Sequence, residues 1–333
     1  MSTSPLMQAA VLHAYGQPLS LEHIARPQAG PGQVLVRIKA SGVNPLDLKI
    51  AAGQAAHART VPPAVLGIDL AGVVAAVGAD VNGFQVGDEV FGMTGGVGGI
   101  QGSLAEYAAV DASLLALKPR NLSMREAAAL PLVFITAWEG LVDRARLHAG
   151  QRVLVHGGAG GVGHIAVQIA HALGAQVFAT GSADQRQAIE AYGAIAIDYR
   201  AETVAQYVER LTGGEGFDII YDTVGGATLD ASFAAARLYH GHVVSCLGWG
   251  THALAPLSFR AASYSGVFTL LPLLSGQGRA HHGAILRKAA SLIEAGKIKV
   301  ALDAAHYTLA TVNDAHRAAA ARTAQGKLVV DIA

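Results

Sequence analysis

Residues 158 to 163 read Gly-Ala-Gly-Gly-Val-Gly, with glycines spaced Gly158-x-Gly160-x-x-Gly163. That spacing suits a pyrophosphate. One glycine makes a tight turn, one lets the backbone approach the phosphates, and one lets a helix pack closely on a strand. Phosphate oxygens then accept from free N–H groups at the positive end of the helix. The flanking residues supply the context this requires. An apolar strand at 153–156 precedes the turn, and a second follows at 176–180. Between them, residues 164–174 carry apolar side chains at Ile165, Ala166, Ile169, Ala170 and Leu173. Strand, glycine turn, helix and strand form a dinucleotide-binding pattern. His164 follows Gly163, so the Gly-Lys-Ser/Thr ending of a P-loop is missing.

A second group with chemical potential is Asn44-Pro45-Leu46-Asp47-Leu48-Lys49. Its amide, carboxylate and ammonium could stabilise charge on an oxygen or relay a proton. The same residues also suit a turn at Asn44-Pro45 followed by a solvated Asp47 and Lys49. Spacing leaves both readings open.

Two kinds of element must hold these groups. Up to about residue 110 the chain alternates short apolar runs (34–40, 67–77, 81–91) with glycine and proline, the mark of a small β-barrel-like domain. The glycine-rich stretch 94–99 reads as a mobile loop near the cleft, or as structural only. Ser123 and Glu126 announce a capped helix. From Gln151 strands at 153–156, 176–180, 195–197, 218–222 and 242–246 alternate with helical stretches such as 183–192 and 201–211. That is a parallel sheet with crossover helices. Helices at 283–294 and 315–324 and a last strand at 327–332 follow.

Composition narrows the partners. Of 333 residues, 52% are hydrophobic and 14% charged, enough for a large core. Net charge is zero and no basic cluster occurs, which disfavours nucleic acid and anionic membranes. The apolar stretch 127–142 is broken by Pro131 and Glu139, short of the ~20 residues that cross a bilayer. No basic region followed by an apolar core opens the chain, so a cytoplasmic protein is expected. The single Cys246 excludes an internal disulfide framework and a multi-cysteine zinc site.

Five segments carry a resemblance. They are Ser-Gly-Val-Asn-Pro-Leu-Asp-Leu-Lys at 41–49, Leu-Gly-Ile-Asp-Leu-Ala-Gly at 66–72 and Gly-Asp-Glu-Val-Phe-Gly at 87–92. The others are Gly-Ser-Leu-Ala-Glu-Tyr at 102–107 and Thr-Ala-Trp at 136–138. With the glycine turn, they make the chain resemble the medium-chain dehydrogenase/reductase superfamily, in its zinc-free quinone or enone oxidoreductase branch. The resemblance implies an α/β fold: a Rossmann doubly wound parallel sheet inserted in a GroES-like β-barrel catalytic domain. The catalytic domain would hold 1–125, the nucleotide domain 126–266, and 267–333 would form a linker helix and the return to the catalytic domain. Zinc-dependent members carry cysteine at Asn44, histidine and glutamate at Ile68 and Asp69, and a cysteine or acid near Leu132. This chain keeps none of those ligands, so no metal site is expected.

Without zinc, nothing strongly polarises an alcohol oxygen, whereas quinones and enones delocalise incoming charge. The resemblance therefore implies hydride transfer from NADPH to a quinone or to the β-carbon of an enone. Asn44, Asp47, Lys49 and Thr136 become the catalytic candidates. Gly158, Ala159, Gly160, Gly161, Val162 and Gly163 would hold the pyrophosphate. The second Rossmann strand ends Ala179-Thr180-Gly181-Ser182 without an acid, and Asp184 comes later. Ser182 and Arg186 can bind a 2′-phosphate, and Tyr199 matches a tyrosine that relatives place there, which favours NADP. Leu247, Trp249, Phe268 and Leu270 would line the nicotinamide. The resemblance further implies a homodimer. Two competing readings are an alcohol dehydrogenase of the same superfamily and a low-turnover NADPH-binding structural or sensory protein.

Overall fold

The strand Gln33–Gly42 organises the first half of the chain in the computed structural model, which describes residues 5–332. Its apolar residues Val34, Val36 and Ile38 are fully buried. It pairs antiparallel with Asp69–Val77, Tyr107–Asp111 and Val329–Asp331. The main path of this seven-stranded sheet runs Tyr307–Thr308, Val329–Asp331, Gln33–Gly42, Asp69–Val77, Glu89–Met93, Leu115–Leu117. A three-stranded sheet of Ser20–Ala25, Leu6–Leu12 and Ala64–Val65 completes the β-structure of this half. Two register shifts, after Leu35 and after Ile38, bend the organising strand. At Gly72 a Cβ would lie 2.3 Å from the Arg37 carbonyl oxygen, so the strands approach only because glycine stands there.

The 94–99 stretch is packed into the fold, which fits the structural one of its two readings. Thr94 to Val97 are buried, the Thr60 hydroxyl donates to the Gly96 carbonyl (2.8 Å), and the Gly98 N–H donates to Ala58 (2.9 Å). Its glycines serve shape, since Gly96, Gly98 and Gly99 adopt positive φ.

Ser123 and Glu126 form the expected capping box on Met124–Ala128. The next helix, Pro131–Trp138, begins on its proline, where the missing N–H costs nothing.

The second half forms a six-stranded parallel sheet ordered Ile195–Asp198, Gln176–Gly181, Arg152–His156, Ile219–Asp222, His242–Ser245, Ser263–Gly266. This is the doubly wound order, reversing between Arg152–His156 and Ile219–Asp222. Its interior includes Leu154, Phe178, Phe217, Ile220, Phe233 and Val243, with the Phe178 and Phe217 rings edge to face at 5.3 Å. The stretch 183–192 is a 3₁₀ turn, Ala183–Gln185, followed by a helix, Arg186–Ala191. The Gln185 side chain turns back to accept the Ser182 N–H, which tightens that entry. The following helix starts at Val204, capped by Thr203, and stops at left-handed Gly213.

Two units result. One comprises Met1–Leu132, Leu270–Ala295 and Val300–Ala333, the other Val133–Thr269 and Gly296–Lys299. Among the described residues no helix is long and apolar enough to cross a membrane.

Candidate active site

In the second unit, the glycine turn leads from Arg152–His156 into the helix Gly161–Ala172. The left-handed residue of this turn is Gly157 (φ +73°), one place before the motif. Gly158 and Gly163 are packing glycines. A Cβ on Gly158 would lie 2.5 Å from that of Ala179, and one on Gly163 would lie 2.0 Å from the Gly157 carbonyl oxygen. Gly160 is different: it is exposed, and its nearest neighbour would be 3.1 Å away. Gly160 caps the helix without any side-chain cap, and among the described residues the first-turn N–H groups of Gly161, Val162 and Gly163 have no side-chain acceptor. Ala159 and Val162 are half-buried beside them. An open glycine and uncapped amides at the sheet's switch point fit a pyrophosphate.

Two buried groups missed by the sequence reading lie under this turn. His156 ends its strand directly beside Asp222, its register partner. His156 Nδ1 is 3.2 Å from the Thr180 hydroxyl, and burial pushes the imidazole well below its usual pKa, against the attraction of Asp222. Asp222 accepts from the Ser245 hydroxyl (2.7 Å) and from the N–H groups of Val224 (3.1 Å) and Gly225 (3.0 Å). Their signal in the sequence was a polar residue closing each of two apolar strands.

Further along the sheet edge, Ser182 is half-buried and Arg186 exposed. The Ser182 side chain hydrogen-bonds Asp184, holding that carboxyl below its ordinary pKa, with nearby Arg200 lowering it further. Arg186 pairs with Glu190 one helical turn on, at 3.6 Å. Tyr199 is 54% exposed, with the Arg200 guanidinium 5.5 Å from its ring centre. Arg200 is thus a second cation in this neighbourhood.

Thr136 and the 268–269 segment do come together. The Thr136 and Thr269 hydroxyls are 3.0 Å apart, both buried, and the Tyr221 hydroxyl donates to the Thr136 carbonyl (2.6 Å). Trp249 stands half-exposed with its ring edge-on to Phe268 at 6.0 Å. The Leu247 N–H donates to the Ser245 hydroxyl (3.0 Å). Leu270 is buried and belongs to the first unit.

In the first unit, Asn44, Asp47, Asp69 and Lys327 form a buried polar cluster, none more than 7% exposed. Asn44 caps the helix Pro45–Ala51, and Asp47 accepts the Asn44 backbone N–H (2.8 Å). The Asn44 amide nitrogen donates to Asp69 Oδ2 (2.9 Å), while Lys327 Nζ donates to Asn44 Oδ1 and to the Val43 carbonyl (3.0 Å). Asp69 Oδ1 accepts the Leu132 N–H (2.9 Å). Burial raises Asp47 to about 7, opposed by the Asn44 N–H and Lys327. Burial likewise raises Asp69 to about 6, opposed chiefly by Lys327. The Lys327 ammonium is itself lowered by burial. Lys49 lies outside this cluster, exposed on the last turn of the helix. Asp69 and Lys327 were not among the expected catalytic residues. Their signal was a charge inside an apolar run, Leu66-Gly67-Ile68-Asp69-Leu70 and Lys327-Leu328-Val329-Val330.

Comparison with known proteins adds to this geometry. The chain is 37% identical, over 94% of its length and 75% of the relative's, to a 2-methylene-furan-3-one reductase of Solanum lycopersicum. The chain belongs to the medium-chain dehydrogenase/reductase superfamily. Within that superfamily it falls in the quinone and enone reductase branch and is an oxidoreductase. A chloroplastic NADPH-dependent alkenal/one oxidoreductase of Arabidopsis thaliana is 35% identical over 97% of this chain and 79% of that protein. An alcohol dehydrogenase superfamily protein from Novosphingobium aromaticivorans superposes with a TM-score of 0.96. It is 54% identical, over 98% of this chain and 100% of that one. Family models match as an alcohol dehydrogenase GroES-like domain at 30–120 and a zinc-binding dehydrogenase at 192–330.

The medium-chain zinc position can be tested on this chain's own residues. Among the described residues no three His, Cys, Asp or Glu side chains gather as metal ligands. Asn44, Asp69 and the Leu132 backbone do converge. Each Asp69 oxygen already accepts an N–H, and an ammonium already occupies the Asn44 oxygen. These residues do not fit zinc.

Proposed function

We propose that the protein is an NADPH-dependent reductase of α,β-unsaturated carbonyls or quinones that works without zinc. The observation that carries this reading is the Asn44–Asp69–Lys327 cluster, whose Asn44 and Asp69 stand where zinc-dependent members place ligands. It offers hydrogen-bond donors and no Lewis-acid site, which suits a conjugated acceptor better than an alcohol. The names of the tomato and Arabidopsis relatives point the same way.

Gly158 to Gly163 would hold the pyrophosphate on the uncapped helix start. Ser182, Arg186 and Tyr199 would take the 2′-phosphate, and Thr136, Leu247, Trp249, Phe268 and Leu270 would border the nicotinamide ring. Bound NADPH supplies the hydride. Asn44 donates an amide N–H to the substrate carbonyl oxygen, where negative charge gathers as the β-carbon accepts hydride. Asp47 orients Asn44 through its backbone N–H. Lys49, exposed at the end of the same helix and turned away from Asn44, takes no part in that hydrogen bond. Assembly as a homodimer is part of the proposal. Among the described residues the edge strand Ser263–Gly266 pairs on one side only and carries an exposed Tyr264, with Tyr239 and Phe259 also exposed.

Loss of NADPH absorbance, measured in chelator-treated protein with an enone, a benzoquinone and phenanthrenequinone in parallel and NADH as control, tests the reading. Turnover with NADPH preferred is expected. Activity that appears only on adding zinc would overturn it.

A further inference from the structure

An asparagine amide can sit either way round, and its ends are not equivalent: the oxygen accepts and the nitrogen donates. At Asn44 both ends are dictated. An ammonium can only donate, so Lys327 requires Oδ1. A carboxylate can only accept, so Asp69 requires Nδ2. Turning the amide over would set N–H against ammonium and oxygen against carboxylate. The two holders are themselves held, Asp69 by the Leu132 N–H and Lys327 by the Val43 carbonyl. One amide N–H is thereby consumed, and the direction of the other is fixed.

Burying an ammonium and two carboxylates is a poor route to stability. Apolar side chains of similar volume commonly do as well or better. The cluster makes sense if orientation is what it secures. We infer that Lys327 and Asp69 are positioning residues, a clamp that aims the second Asn44 N–H at the substrate carbonyl oxygen. This rests on the reading of Asn44 as the hydrogen-bond donor.

The titratable groups that face Asn44 are Asp47 from its own helix, Asp69 from the strand Asp69–Val77, and Lys327 from the chain before Val329–Asp331. Protonating Asp69 removes the charge that holds the Asn44 amide and attracts the Lys327 ammonium, so the clamp loosens as pH falls through about 6. Removing the Lys327 charge favours that proton and moves the loosening to higher pH.

The chain has only four asparagines, Asn44, Asn82, Asn121 and Asn313, so selective ¹⁵N-asparagine labelling resolves the Asn44 side chain directly. Its signal is assigned by its loss in Asn44→Ser. In the unaltered protein we expect slow hydrogen exchange at Asn44 Nδ2 and a shift as pH falls through about 6. Lys327→Met should speed that exchange about tenfold or more. It should also lower kcat for enone reduction by about 10²-fold with little change in KM, and move the acid limb of kcat upward. Lys327→Arg should restore the exchange rate, kcat and the acid limb. An Asn44 signal unaltered in Lys327→Met overturns the clamp. A loosened signal with unchanged kcat overturns the positioning role if Asn44→Ser is impaired. If Asn44→Ser is also fully active, the donor reading of Asn44 is what fails. Should Lys327→Met not fold, the unaltered protein decides: an Asn44 signal that does not respond to pH overturns the clamp.

Discussion

In the first unit Asp47 and Asp69 are buried beside the ammonium of Lys327; in the second His156 is buried beside Asp222. The first cluster manages its charge with side chains brought from far apart, Asn44 and Lys327 being 283 residues distant in sequence. The second uses what lies at hand, namely backbone N–H groups two and three residues past Asp222 and a hydroxyl from the neighbouring strand. Burial raises both carboxyls of the first cluster, so folding takes up protons there. Burial lowers His156, so folding releases protons in the second. The carboxyls of the first cluster and the imidazole of the second therefore respond to pH in opposite senses, although both clusters bury acids.

The largest blow to this contrast should come from Asp222→Ala. It leaves the Ser245 hydroxyl and two backbone N–H groups without their acceptor, at a cost of about 3 kcal/mol or more in denaturant unfolding. Next come the pH slopes. Asp47 has a folded pKa raised to about 7 from 3.8, so its contribution is full at low pH and is lost as pH rises toward 7. His156 has a lowered folded pKa, so its contribution is full above about 6.5 and is lost as pH falls below that value. Thermal unfolding across pH should show Asp47→Asn removing the first slope and His156→Asn the second. Identical profiles for the two variants would erase the distinction between the clusters. A smaller effect, about 1 kcal/mol, is expected for Thr136→Val, which leaves the Thr269 hydroxyl without its partner. The smallest concerns stability in Arg186→Ala. Its pair with Glu190 is exposed on both sides, so unfolding should move by less than about 0.5 kcal/mol. Preference for NADPH over NADH in equilibrium binding should nonetheless fall about tenfold. An unchanged preference would hand the phosphate to Arg200.

The same contrast explains what the sequence revealed. The glycine turn, the parallel sheet and the Ser123 cap are local patterns, and they were legible because neighbours in sequence are neighbours in space. The first cluster was legible only by half. Asn44 and Asp47 lie within one helical turn, and the capping-box spacing ties them together. Lys49 attracted notice for its closeness in sequence, yet five residues along a helix turns it away from Asn44. The cation that does meet Asn44 is Lys327, and no periodicity links positions 283 apart. Gly157 was passed over because the motif begins one residue later, while the backbone reversal falls on it.

That separation has a consequence for how the molecule is made. Asp47 and Asp69 leave the ribosome long before Lys327 does, and the strand Val329–Asp331 that pairs with Gln33–Gly42 comes later still. Until then the nascent first unit carries two acids destined for its interior and no cation to meet them. The stretch Val133–Thr269 is almost the whole of the second unit and is unbroken in sequence. Synthesis therefore delivers the whole middle of the chain before the first unit is complete, and one late lysine supplies the charge the part made first still lacks.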